Sequence, residues 1–143
     1  MSQLGLCLLS LFFSIYASFT NSVERSFVRN DARGLGSFLA ADDSVTISLP
    51  EPIAFSDQLT GVQAYFFFRK IFRTYTTTEF YPAKDVDRMP GDGRFIFKAR
   101  WSFLDKARTP HPFWVYFSIK PRPGATSLRD LWIITEIKAE KLY

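Results

Sequence analysis

The clearest pattern along the chain is a strict alternation of hydrophobic and polar side chains in three segments, Arg94 to Phe103, Phe113 to Lys120 and Leu131 to Ala139. A period of two is typical of β-strands that bury one face of a sheet. The predicted inward residues are Phe95, Phe97, Ala99, Trp101 and Phe103 in the first strand, Phe113, Val115, Phe117 and Ile119 in the second, and Leu131, Ile133, Thr135 and Ile137 in the third. Short, turn-rich connections between the segments favour antiparallel pairing.

Helical patterns and one further strand come before these segments. Thr60 and Gln63 match a capping box, and the helix that they open is predicted to run from Gly61 to about Tyr75. Its hydrophobic stripe consists of Tyr65, Phe68, Phe72 and Tyr75. Residues 44–49 alternate as a half-buried strand does, and residues 55–57 are typical of a turn.

Two shorter helices are predicted nearer the amino terminus. Residues 21–24 match a second capping box, which would open a short helix. This helix is expected to bury Val23, Phe27 and Val28. Asn30 and Asp31 offer a cap for the next helix, which is predicted to extend to residue 40 or 41. Residues 90–93 form a strong turn signal before the first long strand.

This order of elements, helices first and then a run of strands, predicts the fold class. It favours an α+β fold in which a curved antiparallel sheet forms a cone and packs against the N-terminal helices. A chain of 143 residues is long enough for one domain with a substantial core. Such a cone can hold a ligand, an active site or a partner.

The first 23 residues carry no charged side chain, and Leu4 to Phe19 is a mostly apolar run of 16 residues. This run is short for a membrane span, which needs about 20 residues, and suits the apolar region of a signal peptide. Cleavage after Ser22 would divide the chain into a signal peptide at 1–22 and a single domain at 23–143, exported to the periplasm or outside the cell. Because no Lys or Arg precedes the run, two alternatives stay open: a membrane anchor formed by residues 4–19, and a buried N-terminal helix.

Composition and charge narrow the classes of partner. Aromatic residues make up 17% of the chain, which indicates a thick core or an apolar pocket. The formal net charge is +4, but the basic residues are spread along the chain, so nucleic acid is not an expected partner. Cys7 is the single cysteine, which excludes an intrachain disulfide.

The order of motifs resembles the nuclear-transport-factor-two-like (cystatin-like cone) superfamily, and in particular its small exported bacterial members of unknown function. The resemblance covers residues 22–140 and is carried by residues 26–35, 45–50, 66–72, 114–120 and 132–137. It implies the cone fold. It leaves the activity open, because the superfamily contains isomerases, dehydratases, cargo binders and assembly modules. Members of this superfamily commonly form homodimers through the open face of the sheet, so the resemblance also implies self-association of this chain.

Two surfaces are candidate binding sites. Three consecutive phenylalanines, residues 66–68, cannot all face one core, so at least one is expected to face a pocket, a second layer or a partner. The predicted pocket residues are Phe66, Phe68, Phe97, Trp101 and Phe117, although burial on two sides explains the same pattern. The predicted interface on the opposite face of the sheet consists of Trp114, Tyr116, Trp132 and Ile134, with Lys98, Arg100, Glu136 and Lys138 as its polar rim.

Candidate chemistry is sparse. The predicted inward strand positions carry no ionisable side chain, whereas isomerases of the cone fold place an acid or base there. His111 is the single histidine and lies between two prolines in a turn. We therefore predict no catalytic residue, no metal site and no cofactor. One His and one Cys are too few for a transition-metal site.

These observations predict an exported, non-enzymatic binding or assembly module. Its expected partners are a second copy of itself, another envelope protein or an apolar small molecule. A membrane is a partner only if the N-terminal segment is not cleaved. Two alternatives remain: an isomerase-like or dehydratase-like enzyme with an apolar pocket, and a membrane-anchored assembly subunit.

Overall fold

The computed structural model describes residues 3–40, 43–84, 87–88, 93–127 and 130–143. The helices of these residues are α1 (Gln3–Val28), α2 (Ala32–Gly36) and α3 (Gly61–Thr74), and the strands are β1 (Ser44–Leu49), β2 (Phe55–Thr60), β3 (Thr76–Pro82), β4 (Asp87–Arg88), β5 (Phe95–Leu104), β6 (Pro110–Pro121) and β7 (Trp132–Lys141). The turn predicted at residues 90–93 falls largely outside the described residues.

The strands form one curved, unclosed sheet in the order β2-β1-β7-β6-β5-β3, with β4 paired to β5. All neighbours are antiparallel except β1 and β7, which are parallel. The pairing of β5 with β6 is the longest and runs without a break from Phe95 opposite Ile119 to Leu104 opposite Pro110. The predicted α+β fold, a curved sheet packed against N-terminal helices, is therefore confirmed.

The core lies between the helices and one face of the sheet. The inward positions predicted for β5 and β6 are all buried, from Phe95 to Phe103 and from Phe113 to Ile119. Phe27 of α1 lies at the centre of this layer, with ring centroids 5.1 Å from Trp101 and 5.8 Å from Phe117. Aromatic side chains are so numerous because they fill the wide space inside the cone.

The start of α3 shows how local sequence fixes an element. The Gln63 backbone N–H donates to Thr60 Oγ1 at 3.2 Å, and the Thr60 N–H donates to Gln63 Oε1 at 2.9 Å. The predicted capping box is therefore confirmed. The helix ends at Thr74, and Tyr75 caps it with its N–H on the carbonyl of Ile71.

The amino-terminal helices differ from the prediction. The capping box expected at residues 21–24 does not start a helix, because α1 is continuous from Gln3 to Val28 and its own carbonyls already serve these backbone donors. Val23 and Phe27 are buried as predicted, but Val28 is 53% exposed. Asp31 does cap α2 and accepts from the Gly34 N–H at 3.1 Å, although α2 ends at Gly36 rather than near residue 40.

Residues 55–57 are not a turn. They begin β2, which pairs with β1 from Leu49 opposite Phe55 to Ser44 opposite Thr60. The turn lies just before them, where Ala54 adopts a φ of 53° and donates its N–H to the Pro50 carbonyl. The turn residues before Phe55 thus reverse the chain, and the polar side chains of β2 stay exposed at the edge of the sheet.

Candidate functional site: the open face of the sheet

The predicted pocket residues lie mostly in the packed core. Phe68, Phe97, Trp101 and Phe117 are each at most 1% exposed. Phe27 fills the space between them, since its ring lies 6.2 Å or less from those of Phe68, Trp101 and Phe117. Phe66 lies outside this group and is 55% exposed. The five residues therefore do not line one cavity.

The predicted interface residues are divided between the two faces of the sheet. Between β6 and β7 the register shifts: Ser118 lies opposite Glu136, but the next residue, Ile119, lies opposite Ile134. Thr135 is the extra residue of this β-bulge. Because a bulge reverses the alternation beyond it, Trp132 and Ile134 turn towards the helices. Their assignment to the open face is wrong.

Because of the bulge, Trp132 packs against the core. Its ring lies 4.8 Å from that of Phe95 and 5.7 Å from that of Phe19, both of them core residues. Ile133, predicted to face inward, lies opposite Lys120 on the other side of the sheet. It is 2% exposed but is not part of the main core cluster.

The open face is the side of the sheet that points away from the helices. Its central residues are Lys98, Arg100, Trp114, Tyr116, Glu136, Lys138 and Glu140. In one row across the strands, Lys98 lies opposite Tyr116 and Tyr116 opposite Lys138; in the next, Arg100 lies opposite Trp114 and Trp114 opposite Glu140. The face thus combines two aromatic rings with cationic and anionic side chains.

A cation–π contact organises the centre of this face. The Lys98 Nζ atom lies 4.2 Å from the ring centroid of Trp114 and 5.6 Å from that of Tyr116. Such a contact stabilises by about 0.5–1 kcal/mol when exposed and by more when water is excluded. Both rings are half-buried, so their remaining surface is open to a partner.

Arg100 is the most unusual group on the open face. Its Nε atom is buried and has no hydrogen-bond partner among the described residues. Tyr81 of β3 and Trp114 of β6 lie opposite it on either side. A buried cationic donor without an acceptor is costly, and a hydrogen bond to a charged group contributes about 1.5–3 kcal/mol. The guanidinium of Arg100 therefore has a hydrogen-bond donor that the described residues leave unused.

A cleft of about 480 Å³ borders Arg100 at one end of the open face. Its polar lining includes Thr78, Glu79, Ser102, His111 and Lys141. The sequence indicated Arg100 as part of a polar rim. What it did not reveal is that the Nε atom of Arg100 is buried without a hydrogen-bond partner among the described residues, because that depends on which side chains surround it.

His111 lines this cleft and forms a hydrogen bond with Asp105. Its Nε2 atom lies 2.9 Å from Asp105 Oδ2, and its ring lies 5.4 Å from the ring of Phe103. The hydrogen bond from His111, together with the Thr109 N–H on Asp105 Oδ1, lowers the pKa of Asp105 below its ordinary value. The pair holds the turn between β5 and β6. No group of three metal-binding side chains occurs among the residues that the structure describes.

Helix α1 contains the segment predicted as a signal peptide. It is the one helix of the described chain that is long and apolar enough to cross a membrane, a property that signal sequences share. Six large hydrophobic side chains of its first half are exposed, namely Leu4, Leu6, Leu8, Leu9, Leu11 and Phe13. Ser22, the predicted cleavage position, lies inside the helix rather than at its start.

Comparison with known proteins identifies the fold. No protein-family model and no curated protein sequence matches the chain. Solved structures do: a ketosteroid isomerase-like protein from Erwinia carotovora has a TM-score of 0.66 at 12% sequence identity, covering 91% of this chain and 95% of that one. A DUF4783 family protein from Bacteroides fragilis has a TM-score of 0.57 at 12% identity, covering 84% and 95% of the two chains.

An NTF2-like protein of unknown function in nutrient uptake from Rhodospirillum rubrum is similar over 89% of this chain and 98% of its own, with a TM-score of 0.61 at 12% identity. The chain therefore has the NTF2-like cone fold, and the fold implied by the resemblance of its motifs is confirmed. At such low identity the similarity defines the fold and leaves the function to be argued from the residues.

Proposed function

We propose that the protein is an exported binding and assembly module that associates with a second copy of itself through the open face of the sheet. The observation that carries this proposal is the buried Arg100 Nε without a partner, next to the half-buried ring of Trp114. Interfaces are enriched in aromatic residues and Arg at their centres.

The charges of the open face favour a second copy over an unrelated partner. A two-fold interface brings the same surface against itself, so it must carry both partners of each contact. Lys98 and Arg100 of β5 and Lys138 of β7 supply positive charge, while Glu136 and Glu140 of β7 supply carboxylates. A carboxylate of the second copy would satisfy Arg100 and place the two Trp114 rings in the centre.

A binding role is also favoured over the enzymatic alternative by the contents of the core. Proton-transfer enzymes need an ionisable side chain in their pocket. In the described part of the chain, the buried residues are hydrophobic except Thr20, Ser26 and Ser102.

Sedimentation equilibrium tests the self-association. The wild-type protein is expected to form dimers at micromolar concentration, and Trp114→Glu or Arg100→Met to weaken the dimer at least 10-fold. Arg69→Met is the matched control, because Arg69 is an exposed arginine on α3, away from the open face. A wild-type protein that stays monomeric at high micromolar concentration, or an equal effect of Arg69→Met, would contradict the proposal.

Export has its own test. The uncharged, apolar first half of α1 supports it. Amino-terminal sequencing of the protein from its native host is expected to begin at or near Val23, after removal of residues 1–22. Recovery of the intact amino terminus would instead support retention of residues 4–19 as an anchor or as part of the domain.

A further inference from the structure

An aromatic stripe on α1 packs against one end of the cone. Phe12, Tyr16 and Phe19 follow one another at helical spacing and form one face. Their rings contact Phe95, at centroid distances of 6.2, 5.5 and 6.3 Å respectively. Phe12 and Phe19 also lie 5.8 and 5.7 Å from Trp132. The stripe therefore covers an aromatic floor, here called the α1 seat, formed by Phe95, Phe97, Trp132 and Phe38.

The predicted cleavage position after Ser22 follows this stripe in the sequence. All three aromatic residues precede Ser22, whereas Phe27, which fills the centre of the cone, follows it. Removal of residues 1–22 would leave the centre packed and uncover the α1 seat. Phe95, now 1% exposed, would become part of an open apolar surface.

The hydroxyl of Tyr16 fits its position poorly. The Oη atom is buried and has no hydrogen-bond partner among the described residues, and burial raises the pKa of this phenol. A native core residue with a buried hydroxyl usually finds a partner. The described residues of the α1 seat thus offer no hydrogen-bond partner to this hydroxyl, which favours an apolar ligand at the same position.

An open cleft already adjoins the α1 seat. Its volume is about 830 Å³, and it runs between α1, α2 and the start of β7. Phe38 and Trp132 of the seat line this cleft, together with Phe19 of the stripe. Loss of residues 3–22 of α1 would remove one wall of this cleft and open it onto the seat, whose floor is aromatic.

We propose that the stripe of Phe12, Tyr16 and Phe19 fills an apolar binding site whenever residues 1–22 are retained, and that the chain from Val23 onwards folds with this site open to a neutral aromatic ligand. The proposal rests on the export proposed above. Cleavage is hydrolysis of the Ser22–Val23 amide: water supplies the hydroxyl of the new carboxyl group and the proton of the new amine. Because Val23 is fully buried within α1, a peptidase must act before the helix packs.

The neutral dye N-phenyl-1-naphthylamine serves as the probe, with binding followed by its fluorescence. The processed protein from the native host is expected to bind one dye saturably, at least 10-fold more tightly than the intact chain. In the intact chain, Phe12→Ala combined with Tyr16→Ala should raise the affinity by a similar factor. The matched control is Leu8→Ala with Phe13→Ala, which removes exposed side chains of the same helix and should leave the affinity unchanged.

The outcomes separate this inference from the export proposal. An intact amino terminus in the native host overturns export and, with it, the opening of the site. A processed protein that binds no dye, although circular dichroism shows it folded, overturns the site alone. Equal gains in the Phe12/Tyr16 and Leu8/Phe13 variants would mean non-specific exposure and would also overturn it. If the Phe12/Tyr16 variant does not fold, the processed protein decides the question.

Discussion

Phe27 of α1 stacks on Phe80 of β3, with ring centroids 4.6 Å apart and planes inclined by 26°. The contact joins the last turns of the first helix to an edge strand of the sheet. Both residues are at most 2% exposed. The pair fills the centre of the cone. The protein's own side chains therefore occupy the space in which a ligand would otherwise bind.

Removal of the Phe27 ring is expected to be strongly destabilising. Phe27→Ala should lower the free energy of unfolding by about 3–5 kcal/mol, as for other large core aromatics, because it leaves a cavity between α1 and the sheet. Urea unfolding followed by circular dichroism measures the loss. Phe66→Ala is the matched control, since Phe66 is 55% exposed, and it should cost no more than about 0.5 kcal/mol. Similar losses in both variants would contradict the assignment of Phe27 to the centre of the core.

The bulge at Thr135 places Trp132 and Trp114 on opposite faces of the sheet, so replacing each of them should have a different effect. Trp132→Ala should lower the free energy of unfolding by about 2–3 kcal/mol, less than a fully buried tryptophan would, because its half-buried ring packs on core residues. It should leave self-association unchanged. Trp114→Ala should do the reverse, weakening self-association with a smaller loss of stability. Unfolding and sedimentation on the same two variants measure both properties. A loss of self-association in Trp132→Ala would show that the face of β7 is misassigned.

The Asp105–His111 pair predicts a specific effect of pH. Because the pKa of Asp105 is lowered in the folded state, the unfolded state binds more protons between the folded and unfolded pKa values. The stabilisation that the Asp105 carboxylate contributes is therefore fully present above the ordinary aspartate pKa of about 3.9. It is lost as the pH falls through the lowered pKa that Asp105 has in the folded protein. NMR titration of the Asp105 carboxyl should show the lowered pKa, and His111→Ala should raise it towards the ordinary value.

Lys106→Ala is the control for this titration. It removes a positive charge from the same turn but leaves the imidazole that hydrogen-bonds to Asp105. The pKa of Asp105 should then stay lowered. An unchanged titration in His111→Ala would mean that the hydrogen bond does not hold the carboxylate.

Some assignments needed information that no local pattern contains. The alternation in β7 is regular in the sequence, yet one extra residue, Thr135, reverses the faces of Trp132 and Ile134. Whether a bulge forms depends on how β7 pairs with β6, which is a property of two strands together. The buried, unpaired Nε atom of Arg100 depends likewise on three strands, since its neighbours Tyr81 and Trp114 come from β3 and β6.

Local patterns were enough to predict the long strands β5 and β6 with their buried faces, and the cap of α3. Each of these follows from short-range periodicity or from side chains three residues apart, such as Thr60 and Gln63. Packing between segments sets three other features: α1 continues through Ser22, Phe27 fills the cone and Trp132 faces the helices. The physical reason is that helix length and strand register respond to packing between distant segments. Those contacts exist only once the chain has folded.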